Sequence, residues 1–129
     1  MNIEHIAIWS EDIEVLKAFY EKYFNASANQ RYENTTKGFA SYFLSFESGA
    51  RLEIMQMEGI EKREKSIEKQ FVGLAHFAIS VGSEEAVNEL TTKFQTDGYI
   101  LVDGPRRTGD GYYESVILDP DGNHIEITV

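Results

Sequence analysis

The stretch "HIAI" at residues 5–8 returns as "HFAI" at residues 76–79, and these two copies use two of the three histidines in the chain. Each copy places an imidazole at the head of a short apolar run, the composition of a half-buried strand. Reading outward from both copies shows that the repeat is longer than four residues. After the first, "SEDIEVLKAFYEKYFNA" carries Ser10 as a candidate cap, Glu11 and Asp12 in a first turn, and Ile13, Leu16, Phe19, Tyr20 and Tyr23 at helical spacing. Strand-like "FASYFLSFE" and "ARLEIMQM" follow, with a turn at Ser48-Gly49 between them.

The second copy is followed by the same order. Ser83 caps "SEEAVNELTTKFQTDG", whose Val87, Leu90 and Phe94 form an apolar stripe and whose Gly98 suits a helix end. Then come "YILVDG", "YYESVILD", the turn "DPDGN" and a final strand "HIEITV". Each half reads strand–helix–strand–strand–strand. A charged segment without an apolar stripe joins them, so the expected organisation is one domain over residues 1–129. Its parts are a module at 1–57, a linker at 58–72 and a module at 73–129.

Within this repeat one further residue type recurs. Glu53 ends the first half inside "RLEIM" and Glu126 ends the second inside "HIEIT", and the two His-to-Glu intervals differ by only two residues. Strand side chains alternate between faces, so each glutamate opposes Leu52 and Ile54, or Ile125 and Ile127. An ionised carboxylate in such surroundings is costly unless it is paired or coordinated. A single histidine or glutamate on a strand is ordinarily decoration of a solvent face. Decoration has no reason to recur at matched positions, so His5, Glu53, His76 and Glu126 are read together as ligands of one divalent ion: Ni, Zn or Co, with Fe less favoured. His124 aligns with Arg51, and both are read as neighbours of the ligands rather than ligands.

Composition narrows the function classes. The chain of 129 residues has 42% apolar residues, which suits a single folded domain, and no cysteine, which removes disulfides and thiolate chemistry. A net charge of −10 disfavours nucleic acid and anionic membranes as partners. No apolar run approaches the ~20 residues of a membrane helix. Acidic residues at Glu4, Glu11 and Asp12 are unlike a secretory leader, so a cytoplasmic location is the expectation.

The carriers "HIAI", "RLEIM", "LAHFAIS" and above all "GYYESVILDPDGNHIEITV" give the chain a resemblance to the vicinal oxygen chelate superfamily, the group of glyoxalase I, bleomycin-resistance proteins and extradiol dioxygenases. The resemblance implies an α+β fold in which two βαβββ modules pair into a curved, partly open mixed β-barrel around a metal site. It also implies a homodimer, with the site formed in one chain or across two. The His–Glu–His–Glu set resembles that of glyoxalase I-like members, which convert the hemithioacetal of a 2-oxoaldehyde such as methylglyoxal and a thiol into a 2-hydroxyacyl thioester. Epimerases of the superfamily typically have glutamine where Glu53 stands, and extradiol dioxygenases lack that first carboxylate. Glutathione-dependent members usually carry an arginine where Trp9 stands, which leaves the thiol open.

By this resemblance Glu126 is the first candidate for the catalytic base and Glu53 the second. Substrate-binding candidates are Trp9, as the wall of an apolar pocket, and Arg106 and Arg107, which could grip a substrate carboxylate; ordinary packing and surface roles compete for all three. Tyr112 and Tyr113 are equally ambiguous. The competing functions are sequestration of a small, drug-like molecule without chemistry, suggested by 12% aromatic residues and the acidic charge, and extradiol cleavage or epimerisation.

Overall fold

Helical spacing and alternation in the sequence build the same unit twice. The computed structural model describes residues 1–62, 67 and 72–129, and the chain divides into two compact units, Met1–Arg63 and Glu64–Val129. Strand β1 (His5–Trp9), helix α1 (Ile13–Phe24) and strands β2 (Ser27–Ala28), β3 (Tyr32–Asn34), β4 (Phe39–Ser45) and β5 (Arg51–Met57) make the first. The second holds β6 (Phe77–Ser80), α2 (Glu84–Thr96), β7 (Leu101–Arg107), β8 (Tyr113–Leu118) and β9 (His124–Thr128). The fold is α+β, with two βαβββ-like modules and one open, mixed sheet in each. Most of the expected linker at 58–72 lies outside the described residues.

The two sheets share one topology. The first runs β1-β5-β4-β2, and the second β6-β9-β8-β7. In both, the opening strand lies parallel to the closing strand, while the remaining pairs are antiparallel. The first module has one strand more after its helix than the three expected, and neither short strand, β2 or β3, was located in the sequence. Both pair with β4, as β7 pairs with β8. Too few residues alternate in segments of two and three for a periodicity to register.

Each module buries one face of its sheet under its helix. In the first, Ile13, Leu16, Phe19, Tyr20 and Tyr23 of α1 are buried together with Leu44, Leu52 and Ile54 of the sheet. In the second, Val87, Thr91 and Phe94 of α2 are buried with Ser115, Ile117, Ile125 and Ile127. Two hydroxyls enter that second core as a satisfied pair: Thr91 and Ser115 lie 2.6 Å apart, and Thr91 also donates to the Val87 carbonyl. The face left uncovered by the helix is the one that carries His5 and Glu53, or His76 and Glu126.

One expectation about the helix ends is corrected. Asp12, not Ser10, caps α1: its carboxylate accepts from the Glu14 and Val15 amides at 2.9 and 3.3 Å, while the Ser10 hydroxyl accepts from the Asp12 amide. The charged acceptor takes the site next to the helix dipole's positive end, where an anion is most favourable. Asp12→Ala should therefore cost about 1 kcal/mol in urea unfolding, and Ser10→Ala about 0.5 kcal/mol or less. Ser83 does cap α2, accepting from the Ala86 amide at 3.1 Å. Gly98 follows the helix end with φ +88°, a conformation that side chains disfavour. Among the described residues, no helix is long and apolar enough to cross a membrane.

Candidate functional site

The parallel strand pair at the start of each module sets the same relation between its histidine and its glutamate. In the first, Ala7 of β1 lies opposite Glu53 of β5, and His5 precedes Ala7 by two residues on the same face. In the second, Ala78 of β6 lies opposite Glu126 of β9, and His76 precedes Ala78 by two residues. A small alanine beside each glutamate leaves room for the imidazole to lean across. His5 Nε2 comes 3.8 Å from the Glu53 carboxylate, and His76 Nε2 comes 3.2 Å from the Glu126 carboxylate. Both carboxylates are only 16% exposed, whereas the imidazoles are 40% and 49% exposed.

These distances suit a donor pair for a metal ion. Two ligands about 2.1 Å from one ion at right angles stand roughly 3 Å apart. The second module matches that span, and the first is slightly wider. Each module supplies one imidazole nitrogen and one carboxylate oxygen, the mixed donor set taken by borderline divalent ions. Among the described residues, no three or more His, Cys, Asp or Glu side chains gather into a group that could hold a metal ion. Each module by itself presents one imidazole and one carboxylate.

The imidazole of the first module is held from behind. His5 Nδ1 contacts the Glu4 carboxylate, which also receives the Arg51 guanidinium. His5 first, and Arg51 second, hold the Glu4 carboxyl below its usual range. With Nδ1 engaged, Nε2 is the nitrogen left to face Glu53, the second-neighbour arrangement that fixes the orientation of metal-binding histidines. Arg51 spans Glu4 and the face of Phe43, 4.3 Å from its ring centre. Phe43 lies opposite Glu53 and packs edge-on against His5.

In the second module the carboxylate is the flanked partner. Glu114 of β8 pairs in register with Thr128 and shares the face of Glu126. It is buried, and burial pushes its carboxyl above the usual range; the neighbouring Glu126 adds to the rise, and Arg106 opposes it. Neither Glu4 nor Glu114 was singled out from the sequence. Glu114 carried the signal that drew attention to Glu53, a carboxylate on an apolar strand, but had no repeated counterpart.

The two candidate arginines separate. Arg106 lies opposite Glu114, on the face of Glu126, with its Nε donating to Asp103 at 2.6 Å and its Nη2 3.6 Å from Glu114. Arg107 pairs in register with Tyr113 and reaches Glu84 at the start of α2, and its guanidinium also bonds the Gly111 carbonyl. Both are therefore engaged by groups of their own module. Tyr113 donates to Asn88 on α2 at 2.8 Å, and Tyr112 is exposed. His124 shares the face of Glu126, and its Nε2 is shielded from solvent without a hydrogen-bond partner. Trp9 lies on the face of His5, in an edge-on contact with Phe39, which in turn meets Tyr32; the three rings make a row, with ring centres 6.2 and 6.1 Å apart.

A family model described as the Glyoxalase/Bleomycin resistance protein/Dioxygenase superfamily matches residues 2–127. No curated protein matches the chain in sequence. Among solved structures, the trypanothione-dependent glyoxalase I of Leishmania major is 21% identical with a TM-score of 0.76, over 99% of this chain and 86% of that one. A glyoxalase family protein of Enterococcus faecalis is 21% identical with a TM-score of 0.79, over 99% and 97%. The glyoxalase I of Zea mays is 20% identical with a TM-score of 0.78, and the match spans 98% of this chain but only 44% of the maize protein. At these identities the likeness is one of fold.

Proposed function

Because the chain belongs to the Glyoxalase/Bleomycin resistance protein/Dioxygenase superfamily, we propose that it is a metal-dependent, glyoxalase I-like lyase or isomerase acting on the hemithioacetal of a 2-oxoaldehyde and a small thiol. The observation that carries this reading is the identical strand register of the two pairs, His5 with Glu53 and His76 with Glu126. These four side chains would hold one divalent ion, Ni, Zn or Co, within one chain or between the two copies of a homodimer.

When bound, such an ion supplies Lewis-acid stabilisation for the charge that develops on two neighbouring substrate oxygens. The proton transfer falls to this chain's own carboxylates. Glu126 takes the proton from the carbon bearing sulfur and returns it to the neighbouring carbon. The hydroxyl on the first carbon gives up its proton and becomes the thioester carbonyl. The ketone oxygen on the second takes up a proton and becomes the hydroxyl, so the adduct isomerises with no net gain or loss of protons. Glu53 is the alternative base. Glu4 keeps His5 turned so that Nε2 faces the site.

A second reading, capture of an aromatic small molecule without chemistry, draws on the row of Trp9, Phe39 and Tyr32. One experiment separates the two. Protein purified without added metal is assayed for its transition-metal content, then loaded with Ni²⁺, Zn²⁺ or Co²⁺ and offered methylglyoxal with several thiols. About one ion per His–Glu quartet and thioester formation are expected; protein that takes up no ion and forms no thioester would be a sequestering protein.

A further inference from the structure

Trp9 is 41% exposed and Tyr32 54% exposed, and both lie on the sheet face that carries Glu53. With Phe39 they form a row of rings that crosses the sheet from β1, past β5, to β4 and β3. The ring clusters around Phe19 and Phe94, by contrast, are centred on buried side chains of the two cores. Contiguous apolar surface left open to solvent marks a place where something binds. The fold does not require an aromatic residue there. Trp9 lies opposite Met55 as Ser80 lies opposite Thr128, so the second module forms the same strand pair with a small polar residue in the place of Trp9.

The row is continuous with the His5–Glu53 pair. Met55 follows Glu53 on the same face, about 7 Å further along the strand, and stands in register with Trp9 on one side and with Ser41, then Tyr32, on the other. On β1 the residue between His5 and Trp9 on that face is Ala7, whose small side chain leaves the way open from imidazole to indole. We propose that Trp9, Phe39 and Tyr32 form a subsite for an aromatic substituent of the hemithioacetal, carried on the oxoaldehyde or on the thiol. The identity of this ligand rests on the lyase reading, which the subsite narrows to aromatic adducts. A methyl group on the reacting carbons falls short of the row. A phenyl or benzyl group spans the gap and meets the rings edge-on or offset, the arrangements that aromatic pairs prefer.

Trp9 is the single tryptophan, so its fluorescence reports on the row. The full chain is titrated with 2-(benzylthio)ethanol, an unreactive thioether, and with 2-(methylthio)ethanol for comparison. A saturable change is expected with the benzyl compound and none with the methyl compound over the same range. Tyr32→Ala, which keeps the reporter, should weaken binding of the benzyl compound about 3–10-fold, and Tyr32→Phe should keep the parent's affinity. In metal-loaded protein, kcat/KM for phenylglyoxal with 2-mercaptoethanol, or for methylglyoxal with benzyl mercaptan, should exceed that for methylglyoxal with 2-mercaptoethanol. The adduct that gains shows which end carries the ring, and Tyr32→Ala should lower its advantage by a similar factor. No saturable change, equal affinity in Tyr32→Ala and the parent, or equal turnover of aromatic and methyl adducts would overturn the proposal. So would a fluorescence change on raising protein concentration alone, the sign of a second copy seated on the row. Saturable, ring-dependent binding by a protein that turns over no hemithioacetal would defeat the lyase reading and leave the aromatic subsite standing.

Discussion

Glu126→Gln should lower turnover of a methylglyoxal–thiol hemithioacetal by about 10²–10⁴-fold in metal-loaded protein, the range expected when a positioned general base is removed. Glutamine keeps the size of the side chain and an oxygen donor but gives up the charge and the capacity to take a proton. The variant should not lose stability. Glu114 stands beside Glu126, and the carboxylate of Glu126 is one of the causes that push the Glu114 carboxyl up. Neutralising Glu126 removes that unfavourable neighbour, while Arg106 keeps Asp103 as a partner. Thermal unfolding unchanged from the parent, together with the lost turnover, would place the defect in chemistry rather than folding. Full turnover in Glu126→Gln would move the base to Glu53, and Glu53→Gln is the companion measurement.

The His–Glu pairs are legible in the sequence because duplication marks them. A histidine heading an apolar strand says little, but the same residue at the same point of two similar units, followed by a glutamate at nearly the same interval, is a coincidence that decoration does not produce. The helices were equally readable, since Ile13, Leu16, Phe19, Tyr20 and Tyr23 hold a helical period and all are buried. What escaped was set by local contacts with no period of their own. Ser10 and Asp12 are both good caps, and only the path of the chain decides which carboxyl or hydroxyl meets the free amides. Arg106 and Arg107 read as one pair because they precede a loop, although neighbouring residues of a strand face opposite sides and the two meet different partners. Glu114 was passed over because the matching position in the first module is Ser41, and repetition was the signal in use.

Phe94→Ala should destabilise the chain by about 3–5 kcal/mol, the cost of removing a buried ring and leaving a cavity, and lower the thermal midpoint by about 10–20 °C. Phe94 has no exposed surface, lies on the face of α2 that covers the sheet, and meets Tyr99 edge-on with ring centres 5.7 Å apart. The two isoleucines flanking Glu126 are buried on that same side of β9. Alternation ties the two faces together: what fixes Ile125 and Ile127 in the core also fixes where Glu126 points. A loss of less than about 1 kcal/mol in urea unfolding would mean that the second module's core does not depend on this ring. Trp9, the chain's single tryptophan, belongs to the first unit, so its fluorescence follows that unit while circular dichroism follows both. If the Phe94→Ala shift appears in circular dichroism and not in fluorescence, the two modules unfold as separate units. If both signals move together, stability lost around Ile125 and Ile127 is shared by the module that carries His5 and Glu53.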